Sequence, residues 1–127
     1  MNLVDSSAWL AYFAGEPNAG FFAGAIEDDE ALLVPSACLY EVFKVVLRES
    51  GEDAAFAAVA AMERGEVIDL DSGLAMEAAA LGLEENLAFA DSVIYAVAKK
   101  HGAVLWTQDV HFRGRPGVRF KAKAKAC

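Results

Sequence analysis

Cysteine is scarce in this chain. Its 127 residues include two, Cys38 and Cys127. One falls in an apolar helical stretch and the other is the last residue. Neither a disulfide framework nor a zinc spacing can be built from them, and a reducing, cytoplasmic setting is expected. Cys38 has no histidine close in sequence, which excludes it as an activated nucleophile. Histidine is equally scarce. His101 reads as a helix C-terminal residue favoured by the dipole, and His111 as a residue within reach of a substrate. Catalysis by a pair of histidines is not expected. The ten glycines are scattered at helix ends, so there is no glycine-rich phosphate loop. No apolar run approaches the 18 or so residues of a membrane span. Met1-Asn2-Leu3-Val4-Asp5 has neither a basic region nor a long apolar core, so no secretory signal and no membrane association are expected.

What is present describes a globular chain. A single domain over residues 1–127 is expected, and a chain this long buries roughly two-thirds of the surface it exposes unfolded. The composition is 56% hydrophobic and 24% charged, far from that of a disordered chain. A mean hydropathy of +0.29 is high for so small a chain. A partner or a second copy is expected to cover some of that apolar surface. The net charge of −8 argues against generic nucleic-acid binding. It hides an asymmetry: only Lys44, Arg48 and Arg64 are basic before residue 99, and only Asp109 is acidic after it. The basic C-terminal quarter suits a phosphate backbone. Residues 121–127 read equally well as a solubilising, frayed tail.

Short apolar runs alternate with helical stretches. The runs are Asn2–Val4, Ala31–Val34, Val67–Leu70, Ala103–Thr107 and Val118–Phe120. Between them, helical spacing covers Ser7–Phe13, Asn18–Asp29, a long segment from a capping Ser36 to Ser50, Glu52–Arg64, Asp71–Leu83 and Leu87–His101. This order predicts an α/β fold with a mainly parallel sheet of about five strands and helices on both faces. In such sheets ligands bind outside the carboxyl ends of the strands.

Several acids occupy those ends. Asp5 follows the first strand, where it doubles as a helix cap. Asp109 follows the fourth, where a turn role is the plain alternative. Asp91 shares a helix face with Leu87, Ile94, Tyr95 and Ala98, and an ionisable group in such a stripe is costly unless paired or bound to metal; the plain alternative is that the helix starts here and Asp91 caps it. Glu41 lies early in the helix after the second strand. Its spacing favours an ordinary surface pair with Lys44. Two carboxylates about 5 Å apart repel by roughly 3 kcal/mol at an effective dielectric near 20. Three or four would therefore need a cation, and hard oxygen ligands without imidazole or thiolate select Mg²⁺ or Mn²⁺.

Four segments then become recognisable in order: Val4-Asp5-Ser6-Ser7-Ala8-Trp9-Leu10, Tyr40-Glu41-Val42, Ala90-Asp91-Ser92-Val93-Ile94-Tyr95-Ala96-Val97-Ala98, and Thr107-Gln108-Asp109-Val110-His111-Phe112. Together they resemble PIN-domain ribonucleases, in particular VapC-type toxins. The resemblance implies a three-layer α/β/α domain and an Mg²⁺- or Mn²⁺-dependent endoribonuclease. It implies that Asp5, Asp91 and Asp109 hold the metal, with Glu41 on a second ion or a bridging water, and that Ser7 and Thr107 support the site. It also implies a tRNA or rRNA substrate, a cognate VapB-like antitoxin and a homodimer. Lys44, Arg48, Arg113 and Arg115 are the expected phosphate contacts. The rival expectation is a non-catalytic RNA- or protein-binding module on the same fold, which would act without Mg²⁺.

Overall fold

A computed structural model describes residues 1–124. Its strands are β1 (Asn2–Val4), β2 (Leu32–Pro35), β3 (Glu66–Ile68), β4 (Val104–Thr107) and β5 (Val118–Phe120). Its helices are α1 (Ser6–Phe13), α2 (Ala19–Ile26), α3 (Ser36–Ser50), α4 (Glu52–Met62), α5 (Ser72–Glu85) and α6 (Phe89–His101). The α/β expectation holds, and the sheet is wholly parallel in the order β3-β2-β1-β4-β5.

The central strands explain why the sequence showed apolar runs rather than alternation. Leu3, Val4, Leu32, Leu33, Val34 and Leu105 are buried, as strands covered on both faces must be. The edge strands β3 and β5 are only partly covered. The chain leaves β1 towards β2 and β3, then crosses back to β4. Right-handed connections place α5 and α6 on the face opposite the helices that follow β1 and β2, giving three layers. The direction reverses between β1 and β4, which pair as Leu3 with Leu105 and Val4 with Trp106. Their carboxyl ends are the topological switch point where such sheets form a crevice.

Several expected boundaries shift, and two of the differences have a visible cause. Ser36 does not cap α3. Pro35 holds the cap position, and Ser36 Oγ instead accepts from Leu70 N at 3.2 Å. Helix α6 starts at Phe89, not Leu87, because Asn86 ends α5 in the left-handed region (φ 56°) and Ala88 is extended. Asp91 therefore lies in the first turn of α6 and not in the middle of an apolar stripe. Helices α5 and α6 approach closely at Gly82, where a Cβ would overlap Ser92 Oγ. Of the tail expected to fray, Lys121 and Ala122 are held: Lys121 N donates to Thr107 O at 3.0 Å, and Asn18 Nδ2 donates to Ala122 O at 3.0 Å. Residues 125–127 lie outside the described part of the chain.

Candidate metal centre

Asp5 stands where β1 ends and α1 begins. Its backbone N–H extends the ladder to Trp106 O at 3.1 Å. Its Oδ1 accepts from Ala8 N at 3.1 Å, so it does cap α1, and also from Ser7 Oγ at 2.8 Å. Its Oδ2 accepts from Thr107 Oγ1 at 2.8 Å. Thr107 in turn accepts from Asp109 N at 2.9 Å. One hydroxyl at the end of β4 thus joins Asp5 to Asp109 across the switch point. Ser7 and Thr107, the two hydroxyl residues named from the sequence, are thus both bonded to Asp5.

Asp109 caps the short 3-10 turn Val110–Phe112, accepting from His111 N at 2.9 Å. That turn brings the His111 ring over two carboxylates. Its Nδ1 lies 3.1 Å from Asp91 Oδ2 and 3.3 Å from Asp109 Oδ1. Asp91, Asp109 and His111 each offer one ligand atom, all within 4.8 Å of one another. The first turn of α6 carries Asp91 to this point, where the positive end of the helix dipole favours an anion.

Glu41 turns inward rather than pairing with Lys44. Its Oε1 accepts from Ser6 Oγ at 2.6 Å, a residue adjacent to Asp5. Lys44 rests over the Tyr40 ring instead. The four acids are therefore unequal in placement. Asp91 and Asp109 meet directly, Asp5 joins them through Thr107, and Glu41 reaches the group through Ser6. Sequence reasoning missed Ser6 as Glu41's anchor and His111 as a member of the acid cluster. Only the two-residue separation of His111 from Asp109 pointed to the latter.

The electrostatics are those of crowded anions. Asp5 is buried, and burial is the largest cause that raises its pKa to about 7. Hydrogen bonds from Thr107, Ser7 and the Ala8 backbone oppose the rise, and the charge of Asp109 adds to it. Burial and then Asp109 also push the Asp91 carboxyl upward, with His111 the main opposing group. Among the described residues no lysine or arginine lies within 4 Å of Asp5, Asp91 or Asp109. His111 occupies the place from which one cation would neutralise both carboxylates. A carboxylate-rich, thiolate-free donor set fits Mg²⁺ or Mn²⁺. The imidazole is an addition to the oxygen-only set expected from sequence. Cys38 is buried, with its thiol pKa pushed up by that burial, consistent with its exclusion as a nucleophile.

The basic candidates scatter. Arg48 is exposed and pairs with Glu49. Arg113 rests on Phe120. Arg115 is committed internally: its Nε donates to His111 O at 2.8 Å and its Nη1 and Nη2 to Glu85 Oε2 and O at 3.0 and 3.3 Å. It fastens the His111 turn to the end of α5.

Comparison with known proteins follows the same outline. A family model described as PIN domain matches residues 3–117. No curated protein gives a significant match. Among solved structures, a chain of a toxin–antitoxin complex from Klebsiella pneumoniae has a TM-score of 0.78 at 23% identity, covering 94% of this chain and 96% of that one. A sarcin-ricin loop cleaving VapC toxin from Mycobacterium tuberculosis gives 0.76 at 23%, covering 91% and 95%. A chain of the DNA-bound VapBC of Salmonella typhimurium gives 0.69 at 19%, covering 96% and 98%. At these identities the likeness is one of fold. With the family model running from β1 to the threshold of β5 and including every residue of the acidic centre, this chain belongs to the PIN-domain family.

Proposed function

We propose that this protein is a divalent-cation-dependent endoribonuclease, the toxin of a toxin–antitoxin pair, acting on tRNA or rRNA in the cytoplasm. The observation that carries the reading is the meeting of Asp91 and Asp109 beside buried Asp5, with no lysine or arginine of the described residues within 4 Å of any of the three. Asp5, Asp91 and Asp109 would hold Mg²⁺ or Mn²⁺, and Glu41 would serve a second ion or a bridging water. When bound, such an ion polarises a phosphoryl oxygen and makes water a usable nucleophile near neutral pH.

The chain's own groups set the geometry. Thr107 and Ser7 hold the two oxygens of Asp5 in fixed directions. Ser6 fixes one Glu41 oxygen and leaves the other free. His111 is largely exposed and can turn away from the carboxylates when a cation takes its place. The toxin reading is supported by the fold shared with toxin chains and by the cleaving activity named for one of them. A cognate antitoxin has a suitable seat. A groove of about 710 Å³, floored by Leu10, Phe13, Val46 and Ala58, opens beside Ser7 and Gln108. Exposed Met76, Leu83 and Phe89 on α5 and α6 offer the face for a homodimer.

The test is RNA cleavage by wild type, Asp5→Asn and Asp91→Asn, with Mg²⁺ and with EDTA. Cleavage should require both the metal and each aspartate. Undiminished cleavage by the two variants, or undiminished cleavage in EDTA, sinks the proposal, and RNA binding without cleavage under either condition favours a non-catalytic module.

A further inference from the structure

We infer that Arg119, Lys121 and Lys123 form a pre-ordered tract for the phosphate backbone of RNA, leading into the acidic centre. This rests on the ribonuclease reading above. Arg119 lies in β5 and Lys121 follows on the same ladder, its N–H bonded to Thr107 O, so those two side chains share one side about 6.6 Å apart, and Lys123 comes two residues later, beyond the strand, on the lining of the groove beside Ser7 and Gln108. That spacing is the scale on which successive phosphates follow one another along a nucleic-acid strand.

Two of the cations are seated on aromatic faces. The Arg119 guanidinium lies 5.2 Å from the Trp106 ring and the Lys121 ammonium 5.5 Å from the Phe21 ring. The two rings meet edge to face at 5.3 Å. Trp106 is fixed by its own N–H, donating to Asn2 Oδ1 at 2.9 Å. Cation, ring, ring and cation thus form one ladder spanning β5, β4 and α2. Such contacts keep the charge available while reducing the side-chain freedom lost on binding.

Lys121, just past β5, stands at the edge of the sheet that carries the acidic centre. In a parallel sheet every strand delivers its carboxyl end to the same edge, so Lys121 leaves β5 where Asp5 leaves β1. Lys121 N donates to the carbonyl of Thr107, the residue whose hydroxyl holds Asp5. Buried Asn18 then fixes the path of the tail, donating to Lys121 O and Ala122 O and to Gln108 Oε1. No carboxylate of the described residues lies within 4 Å of the three cations. Among the described residues the other bases of the C-terminal quarter are placed elsewhere, Arg113 over Phe120. Lys99 and Lys100 end α6 at the opposite edge of the sheet, and Arg115 is bonded to Glu85. A chain of net charge −8 with an acidic centre repels RNA, and this tract supplies the opposing attraction at the site itself.

The test compares wild type with the Arg119→Gln/Lys121→Gln/Lys123→Gln variant. Binding of a fluorescein-labelled RNA hairpin is followed by anisotropy across a salt series in EDTA, and cleavage of the same hairpin with Mg²⁺. Each phosphate that the variant no longer neutralises should flatten the slope of log K against log salt by about 0.7–0.9. The variant should therefore bind about tenfold or more weakly near 0.1 M salt, with KM raised and kcat little changed. An Arg119→Lys/Lys121→Arg variant should keep the wild-type slope. An unchanged slope and KM in the Gln variant overturn the tract and leave the nuclease reading standing. A flattened slope in a chain whose wild type never cleaves RNA upholds the tract and defeats the nuclease reading. A Gln variant that no longer self-associates in sedimentation, yet binds RNA as wild type does, would reassign the tract to a protein interface and overturn the proposal.

Discussion

Replacing Asp5 with asparagine should make the metal-free protein more stable at pH 8, the reverse of the usual effect of altering a buried, fully hydrogen-bonded residue. The native carboxyl titrates at about 7, against 3.8 unperturbed. Between those values the folded chain holds a proton that the unfolded chain has released, so stability falls as pH rises through the window. Three pH units correspond to about 4 kcal/mol of destabilisation, fully developed above pH 7 and absent below pH 4. Asparagine removes the charge. Its oxygen can keep the bonds from Ser7 and Ala8, but its amide now faces the Thr107 hydroxyl and mismatches one hydrogen bond, which costs about 1 kcal/mol. The balance is a gain of about 3 kcal/mol at pH 8 in EDTA, or roughly 10 °C in Tm for a chain of this size. At pH 5 the gain should have shrunk by more than half. Mg²⁺ or Mn²⁺ should reverse the order, because a cation that binds the native carboxylates stabilises only the chain that retains them. Urea titrations at pH 5 and 8, with and without metal, measure all of this. If Asp5→Asn in EDTA is no more stable than wild type at pH 8, or equally favoured at both pH values, the three hydrogen bonds already satisfy the anion and the reasoning fails.

Three further outcomes follow from individual contacts. Ser6→Ala should lower kcat on RNA by about tenfold, since it frees Glu41 from a charge-assisted bond of 2.6 Å without touching the other acids; an unchanged kcat would return Glu41 to the surface role its spacing suggested. Gly82→Ala should destabilise the fold by about 1–3 kcal/mol in urea unfolding, because the added methyl meets Ser92 Oγ between α5 and α6. Arg115→Lys should cost about 1–3 kcal/mol, because a lysine cannot serve His111 O and both Glu85 oxygens at once, and it should leave the salt dependence of RNA binding unchanged. A slope flattened as much as in the tract variant would show that Arg115 does reach phosphate.

Much of this protein was legible in its residues. Apolar runs too short for helices, each followed by a helical period, determine an alternating α/β order, because buried parallel strands need apolar residues on both faces. That order puts Asp5 and Asp109 at strand ends. Asp91 was found for a reason that did not survive: the helix begins two residues later than its apolar spacing suggested, since Asn86 turns left-handed before it. Glu41 was illegible from spacing, because a hydroxyl 35 residues away, and not the lysine one turn on, decides its direction. The partners of Arg115 and of the Lys-Ala alternation were illegible for a related reason. A charge pattern does not reveal which carboxylate or aromatic ring will lie beside it. The sequence by itself determined the periodicities and hence which acids stand at the ends of strands. Only the tertiary structure decided which of them share a hydroxyl, which arginine is internal and which cations are seated on rings, because those choices depend on groups brought together across the sheet and not along the chain.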